Sequence, residues 1–132
     1  MKVIALVENT SISKDYKSKH GLCLYIETKK HKLLFDLGSN SLFLENAVKL
    51  GVDITDIDSV IISHGHNDHG GALKYFLENN AKANIYISRY AFEEYYANFL
   101  GMKWNVGLDR KLKDHPRIIL IEDEYVLSLI HI

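Results

Sequence analysis

Between residues 59 and 71 an unbroken run rich in β-branched residues, Ser59-Val60-Ile61-Ile62, passes directly into Ser63-His64-Gly65-His66-Asn67-Asp68-His69-Gly70-Gly71. A short continuous apolar run reads as a strand covered on both faces, which belongs in a layered α/β domain rather than in a helical bundle. The segment that follows holds three histidines, one aspartate and three glycines. Glycines let the backbone turn tightly, so the side chains between them can converge where the strand ends.

Imidazole nitrogens and a carboxylate oxygen are ligands that zinc, iron and manganese all accept. In an extended or turning segment His64 and His66, at i and i+2, can reach a common point. Asp68 and His69 are neighbours that point apart and can serve a second point nearby, so the spacing suits two metal positions on one loop. A closed structural zinc site fits poorly, because such sites usually bring cysteine pairs and this chain has one Cys. A divalent ion held this way lowers the pKa of bound water to roughly 7 and polarises a carbonyl or phosphoryl oxygen. Asp68 is the catalytic candidate: it either holds the proton of that water or binds the second ion, and the sequence leaves both roles open.

The rest of the chain supplies the frame. With 132 residues, 47% hydrophobic, 25% charged and a net charge of -1, it has the profile of one globular domain and not of a disordered chain. The balanced charge gives no pull toward nucleic acid or anionic lipid, and no apolar run is long enough to span a bilayer. The first apolar run stops at Glu8, too short for a signal-peptide core, so a cytoplasmic protein is expected. Cys23 cannot form an internal disulfide, agrees with a reducing compartment, and reads as a core thiol among Leu22, Leu24, Tyr25 and Ile26.

The apolar pattern predicts strands over 2–7, 20–27, 32–35, 59–62, 84–87 and 117–121, with a hairpin through 28–31. It predicts a helix carrying Leu42, Leu44, Val48 and Leu50, capped by Ser39 or Ser41 and ended by Gly51. A second helix is expected over 72–77, and a third over 89–100, capped by Ser88 and stopped by Gly101. Residues 53–58 read as a connector that begins a turn of helix, 63–71 as a loop, and 102–116 as irregular. A hairpin followed by alternating strands and helices predicts a mixed α/β sheet.

The loop Ser63–Gly71 and the upstream Leu34-Phe35-Asp36-Leu37-Gly38 resemble the metallo-β-lactamase superfamily. Further likeness lies in Leu6-Val7-Glu8-Asn9-Thr10, His20-Gly21-Leu22, Phe43-Leu44-Glu45-Asn46-Ala47 and Gly107-Leu108-Asp109. These segments look like the branch of 7,8-dihydropterin-6-methyl-4-(β-D-ribofuranosyl)-aminobenzene-5′-phosphate synthase-like proteins, linked to methanopterin biosynthesis. The resemblance implies the N-terminal half of an αββα sandwich with a metal site at one edge of the sheets. It implies two divalent ions, zinc first with iron or manganese as alternatives. His64 and His66 would bind one ion and Asp68 and His69 the other, with Asp36 behind them orienting the imidazoles. A helix-capping role remains the alternative for Asp36. The implied activity is that of a metal-dependent hydrolase on a small-molecule, pterin- or phosphate-containing substrate. Alternatives are a thioester, lactone or phosphodiester hydrolase of the same superfamily, or a non-catalytic metal-binding fragment.

The superfamily completes its site with later ligands. After His69 the chain offers only His115, in a polar loop, and His131. Residues 127–132, Leu-Ser-Leu-Ile-His-Ile, match the in-frame translation of a transposon end used in sequencing libraries. The expectation is therefore a partial domain over 1–126 and a non-native tail over 127–132, inactive as it stands. Tyr95 and Phe99, i and i+4 on the expected third helix, either line a pocket for a flat ring or pack. Arg89, Arg110, Lys111 and Lys113 either meet a phosphate or are solvated.

Overall fold

A computed structural model of the chain describes residues 1–10, 17–93 and 95–122. Its strands are β1 (Lys2–Val7), β2 (Cys23–Glu27), β3 (Lys32–Phe35), β4 (Ser59–Ile62), β5 (Asn84–Ser88), β6 (Tyr96–Phe99), β7 (Met102–Asn105) and β8 (Ile118–Ile121). Helices α1 (Leu42–Leu50), α2 (Asn67–Gly70) and α3 (Leu73–Asn79) lie between them. Six strands form one sheet in the order β1-β2-β3-β4-β5-β8, and β6 and β7 form a separate hairpin. β1, β2 and β3 pair antiparallel, and β3, β4, β5 and β8 pair parallel. This is the mixed α/β sheet that the sequence predicts.

Pairing registers sort the side chains into two faces. On one, Leu6, Cys23, Leu34, Val60, Ile85 and Ile87 are almost completely buried, and they form a single core with Phe43 and Ala47 of α1 and Leu73 and Phe76 of α3. On the other, Leu24, Phe35, Ile61, Tyr86 and Ile119 lie in one row across the strands, Tyr86 buried and the other four half-buried. The expectation that β4 is covered on both faces is therefore met fully on one face and in part on the other, where Ser59 is buried and Ile61 half-buried. A parallel strand reads as continuously apolar whether or not both faces are covered, because periodicity reports composition and not the neighbour.

α1 ends at Gly51, whose φ of 71° supplies the left-handed residue that closes a helix. Its start differs from the expected serine cap: neither serine side chain caps it, and Asn40 Oδ1 accepts from Leu42 N at 3.1 Å. The buried face runs through Leu42, Phe43, Asn46 and Ala47, while Val48 is 82% exposed. Asn46 sits on that face because its Nδ2 donates to the carbonyls of Leu6 (2.7 Å) and Lys17 (3.1 Å). It thereby satisfies an acceptor beside the edge strand that an apolar residue would leave unpaired.

The largest departure is at 89–100. Only a single 3₁₀ turn, Arg89–Phe92, forms there, with Ser88 Oγ accepting from Tyr90 N. The chain then enters the β6–β7 hairpin, turning through Leu100 (φ 51°) and Gly101 (φ 75°). Two consecutive positive φ values are those of a two-residue hairpin turn, which the glycine makes accessible. Aromatic-rich residues suit a strand as well as a helix, so the helical reading of Tyr95 and Phe99 as i, i+4 neighbours fails. Two smaller differences are the helical turn of α2 inside the expected loop 63–71 and the 3₁₀ turn Arg110–Asp114 in the region read as irregular. Residues 127–132, and His131 with them, lie outside the described residues.

Candidate metal centre

The topology brings one edge of the sheet to a focus. β3 and β4 are parallel neighbours, so Asp36 and Ser63 leave the sheet side by side at its carboxyl edge. β1 runs the same way as β3, because each pairs antiparallel with β2; the end of β1 and the start of β2 therefore reach that edge too.

Asp36 is the hub. It is fully buried, at φ 58°, with its N–H on the Ile61 carbonyl (2.8 Å), while the next amide, Leu37 N, donates to the His69 carbonyl (2.7 Å). Aspartate tolerates this left-handed backbone better than most residues. Its Oδ1 accepts from Ser63 N at 2.7 Å, and its Oδ2 accepts from Ser63 Oγ at 2.6 Å and from His69 Nδ1 at 2.7 Å. A carboxylate oxygen here accepts, so His69 carries a proton on Nδ1, and its neutral form is the tautomer with Nε2 free to bind an ion. Ser63 spends its single hydroxyl proton on Asp36. At 2.8 Å from His64 Nδ1, Ser63 Oγ is then an acceptor, and His64 also presents a bare Nε2. One buried carboxylate fixes both tautomers, the first directly and the second through Ser63. Asp36 thus contacts an imidazole directly, and its carboxylate accepts from Ser63 and His69.

α2 gathers the rest. The His66 carbonyl accepts from His69 N (3.1 Å) and Gly70 N (3.0 Å), winding the single turn that swings Asp68 and His69 toward His64. One ligand atom from each of His64, Asp68 and His69 lies within 4.8 Å of the others. Asp68 and His69, neighbours in sequence, reach a common point: His69 Nε2 is 3.6 Å from Asp68 Oδ2. Two ligands of one tetrahedral zinc lie about 3.4 Å apart. The donor set and its spacing therefore fit a divalent ion. Burial lowers the pKa of His64, the neighbouring His69 and His66 lower it further, and Asp36 and Asp68 oppose the shift. The neutral, metal-binding form is favoured.

His66 stands beside this set rather than in it. Its ring is edge-on to His64 (centroids 4.9 Å apart) and to Tyr95 (5.3 Å), and its backbone bridges to Gly107. His115 is not drawn in, and its Nδ1 accepts from Arg117 N instead. Arg89, Arg110 and Lys113 line a separate recess with Tyr90 and Glu93, and none of them borders the cleft beside Asp68. That cleft, of about 390 Å³, is lined by Glu8–Thr10, His20–Leu22, Asp68 and His69. Sequence reasoning missed Ser63 and Tyr95 as partners of the histidines, although Ser63 immediately precedes the motif.

The family model described as the metallo-beta-lactamase superfamily matches residues 19–125. The chain belongs to the metallo-β-lactamase superfamily. Within it, the chain is 33% identical over 128 residues to the uncharacterized protein MJ0448 of Methanocaldococcus jannaschii, covering 93% of this chain and 48% of that protein. Among solved structures it is similar to Tm1679, described as a metal-dependent hydrolase of the β-lactamase superfamily. That match has a TM-score of 0.67 at 27% identity and covers 90% of this chain and 41% of Tm1679. A subclass B3 metallo-β-lactamase with an active-site glutamic acid shares the fold at a TM-score of 0.57 and 20% identity, over 81% of this chain and 41% of that one. The chain spans about half the length of MJ0448. Among the described residues no helix is long and apolar enough to cross a membrane.

Proposed function

We propose that this chain carries the metal-binding part of a metal-dependent hydrolase that acts on a small-molecule substrate. The observation that carries the reading is the convergence of His64, Asp68 and His69, with both imidazoles held in the tautomer that exposes Nε2. In this reading His64, Asp68 and His69 face one divalent ion, zinc suiting the donors best and iron or manganese being the alternatives, and the resemblance adds a second ion that would draw in His66. Bound there, such an ion supplies acidified water as a nucleophile at neutral pH and polarises a carbonyl or phosphoryl oxygen.

The chain's own residues do the remainder. Asp36 and Ser63 keep the histidines aimed, holding each by its Nδ1. Asp68, on the wall of the cleft, is placed to hold the attacking water by its proton. The cleft admits substrate beside it. The description of Tm1679 as a metal-dependent hydrolase supports the reaction class. A pterin- and phosphate-bearing substrate is the proposed class, resting on the resemblance of His20-Gly21-Leu22 and its companion segments.

The test measures the zinc, iron and manganese content of the purified chain alongside His64→Ala, His66→Ala, Asp68→Ala and His69→Ala, followed by turnover of an aryl phosphodiester and an aryl ester. Stoichiometric metal lost in the variants is expected. Metal content and stability unaffected by His66→Ala and Asp68→Ala would overturn the reading, and metal without turnover on any substrate favours the non-catalytic alternative.

A further inference from the structure

Asp68 has a partner that the metal loop does not supply. His20 Nε2 lies 2.9 Å from Asp68 Oδ2, the same oxygen that stands 3.6 Å from His69 Nε2 at ligand–ligand spacing. A carboxylate oxygen has two lone-pair directions, so one can point at an ion while the other accepts from an imidazole N–H.

The placement of His20 is built into the backbone. Leu22 N donates to the Asp68 carbonyl (3.2 Å) and Gly21 N to Asn9 Oδ1 (3.0 Å). Gly21 adopts φ 138°, and a Cβ there would stand 2.2 Å from the Asp68 carbonyl oxygen. The segment that leads into β2 is therefore pressed against Asp68 itself, and it delivers His20 to the carboxylate at the lining of the cleft.

We propose that His20 is a positioning residue of the metal centre: by holding Asp68 Oδ2 from the cleft side it orients that carboxylate toward the ion and raises the affinity of the ion Asp68 binds. His20 does for Asp68 what Asp36 does for His69. The inference rests on the metal-centre reading above. The His20 side chain is 78% exposed, so its pair with Asp68 contributes little to folding. Orientation of a ligand can still matter to binding: loss of an outer partner typically weakens metal affinity about 10–100-fold.

The experiment compares the full chain with His20→Ala and His20→Gln at one fixed pH. Zinc affinity is measured by competition with a chromophoric chelator, cobalt coordination by its visible absorption, and metal-free stability by urea unfolding. The expected result is a loss of at least about ten-fold in affinity for one ion in His20→Ala, with an altered cobalt band and an unchanged unfolding midpoint. His20→Gln, whose side-chain N–H can reach the same oxygen, recovers most of the affinity. Unchanged affinity and cobalt spectrum in His20→Ala would overturn the proposal, as would tighter binding, which would mean that His20 competes with the ion. A loss that tracks reduced metal-free stability and that glutamine does not restore also counts against it. If the unsubstituted chain binds neither metal, the reading of the centre itself fails, a result distinct from equal binding by the parent chain and His20→Ala.

Discussion

Removing the Asp36 carboxylate strikes the one group on which both exposed Nε2 atoms depend. Asp36→Ala deprives Ser63 N–H, Ser63 O–H and His69 Nδ1–H of their acceptor. Water can replace the acceptor at exposed Ser63 and half-buried His69, so each lost hydrogen bond costs about 1 kcal/mol net, giving about 3 kcal/mol together. Alanine at φ 58° adds about 1 kcal/mol that aspartate largely avoids. The expected loss of about 4 kcal/mol is a large part of a total stability that for a domain is about 5–15 kcal/mol. Asp36→Gly lacks the backbone penalty and should be about 1 kcal/mol more stable than Asp36→Ala. Asp36→Asn keeps the Ser63 N–H bond but offers an NH₂ where Oδ2 stood, so it should lose about 2 kcal/mol. It should also bind zinc about 10–100-fold more weakly, because His69 is no longer held as the Nδ1–H tautomer. Urea unfolding of the metal-free chain and chelator competition measure the two effects separately. Parental stability and zinc affinity in Asp36→Asn, or equal stability of the glycine and alanine variants, would refute the reasoning.

Further predictions concern the frame. Gly65→Ala places a Cβ 2.1 Å from the Ala91 carbonyl oxygen, with backbone on both sides; it should destabilise by at least about 2 kcal/mol in urea unfolding and weaken zinc binding by shifting His64 and His66. Cys23 is fully buried, and burial, followed by the charge of Asp36, pushes its thiol pKa well up; an aromatic disulfide reagent should leave it unmodified in the folded chain and react fully after unfolding. Tyr25 is pushed up to about 12, first by burial and then by its hydrogen bond to Glu27. A raised folded pKa means that this contribution, about 2–3 kcal/mol, is fully present below the ordinary tyrosine range near pH 10 and is lost as pH rises toward 12. The unfolding midpoint should fall less steeply over that interval in Tyr25→Phe.

Much of this arrangement is legible along the chain, and the reason differs from element to element. β1, β3, β4 and β5 announce themselves by apolar runs between turn formers, and Gly51 ends α1 as any left-handed cap does. The metal loop is legible because its chemistry is local: His64, Asp68 and His69 converge within one turn of chain. The β6–β7 hairpin was not legible, because Tyr95–Phe99 satisfies helical and strand patterns alike and only the turn at Leu100–Gly101 separates them.

By itself the sequence determined the mixed sheet, through apolar runs between turn formers, and gathered the histidines and Asp68 on one loop, while the resemblance of its motifs pointed to the superfamily. Tertiary structure decided which nitrogen His64 and His69 expose and that His20, from a distant segment, reaches Asp68. Those outcomes depend on strand direction: β1, β3 and β4 all end at one edge, and pairing between distant segments, which no local pattern encodes, brings their ends together.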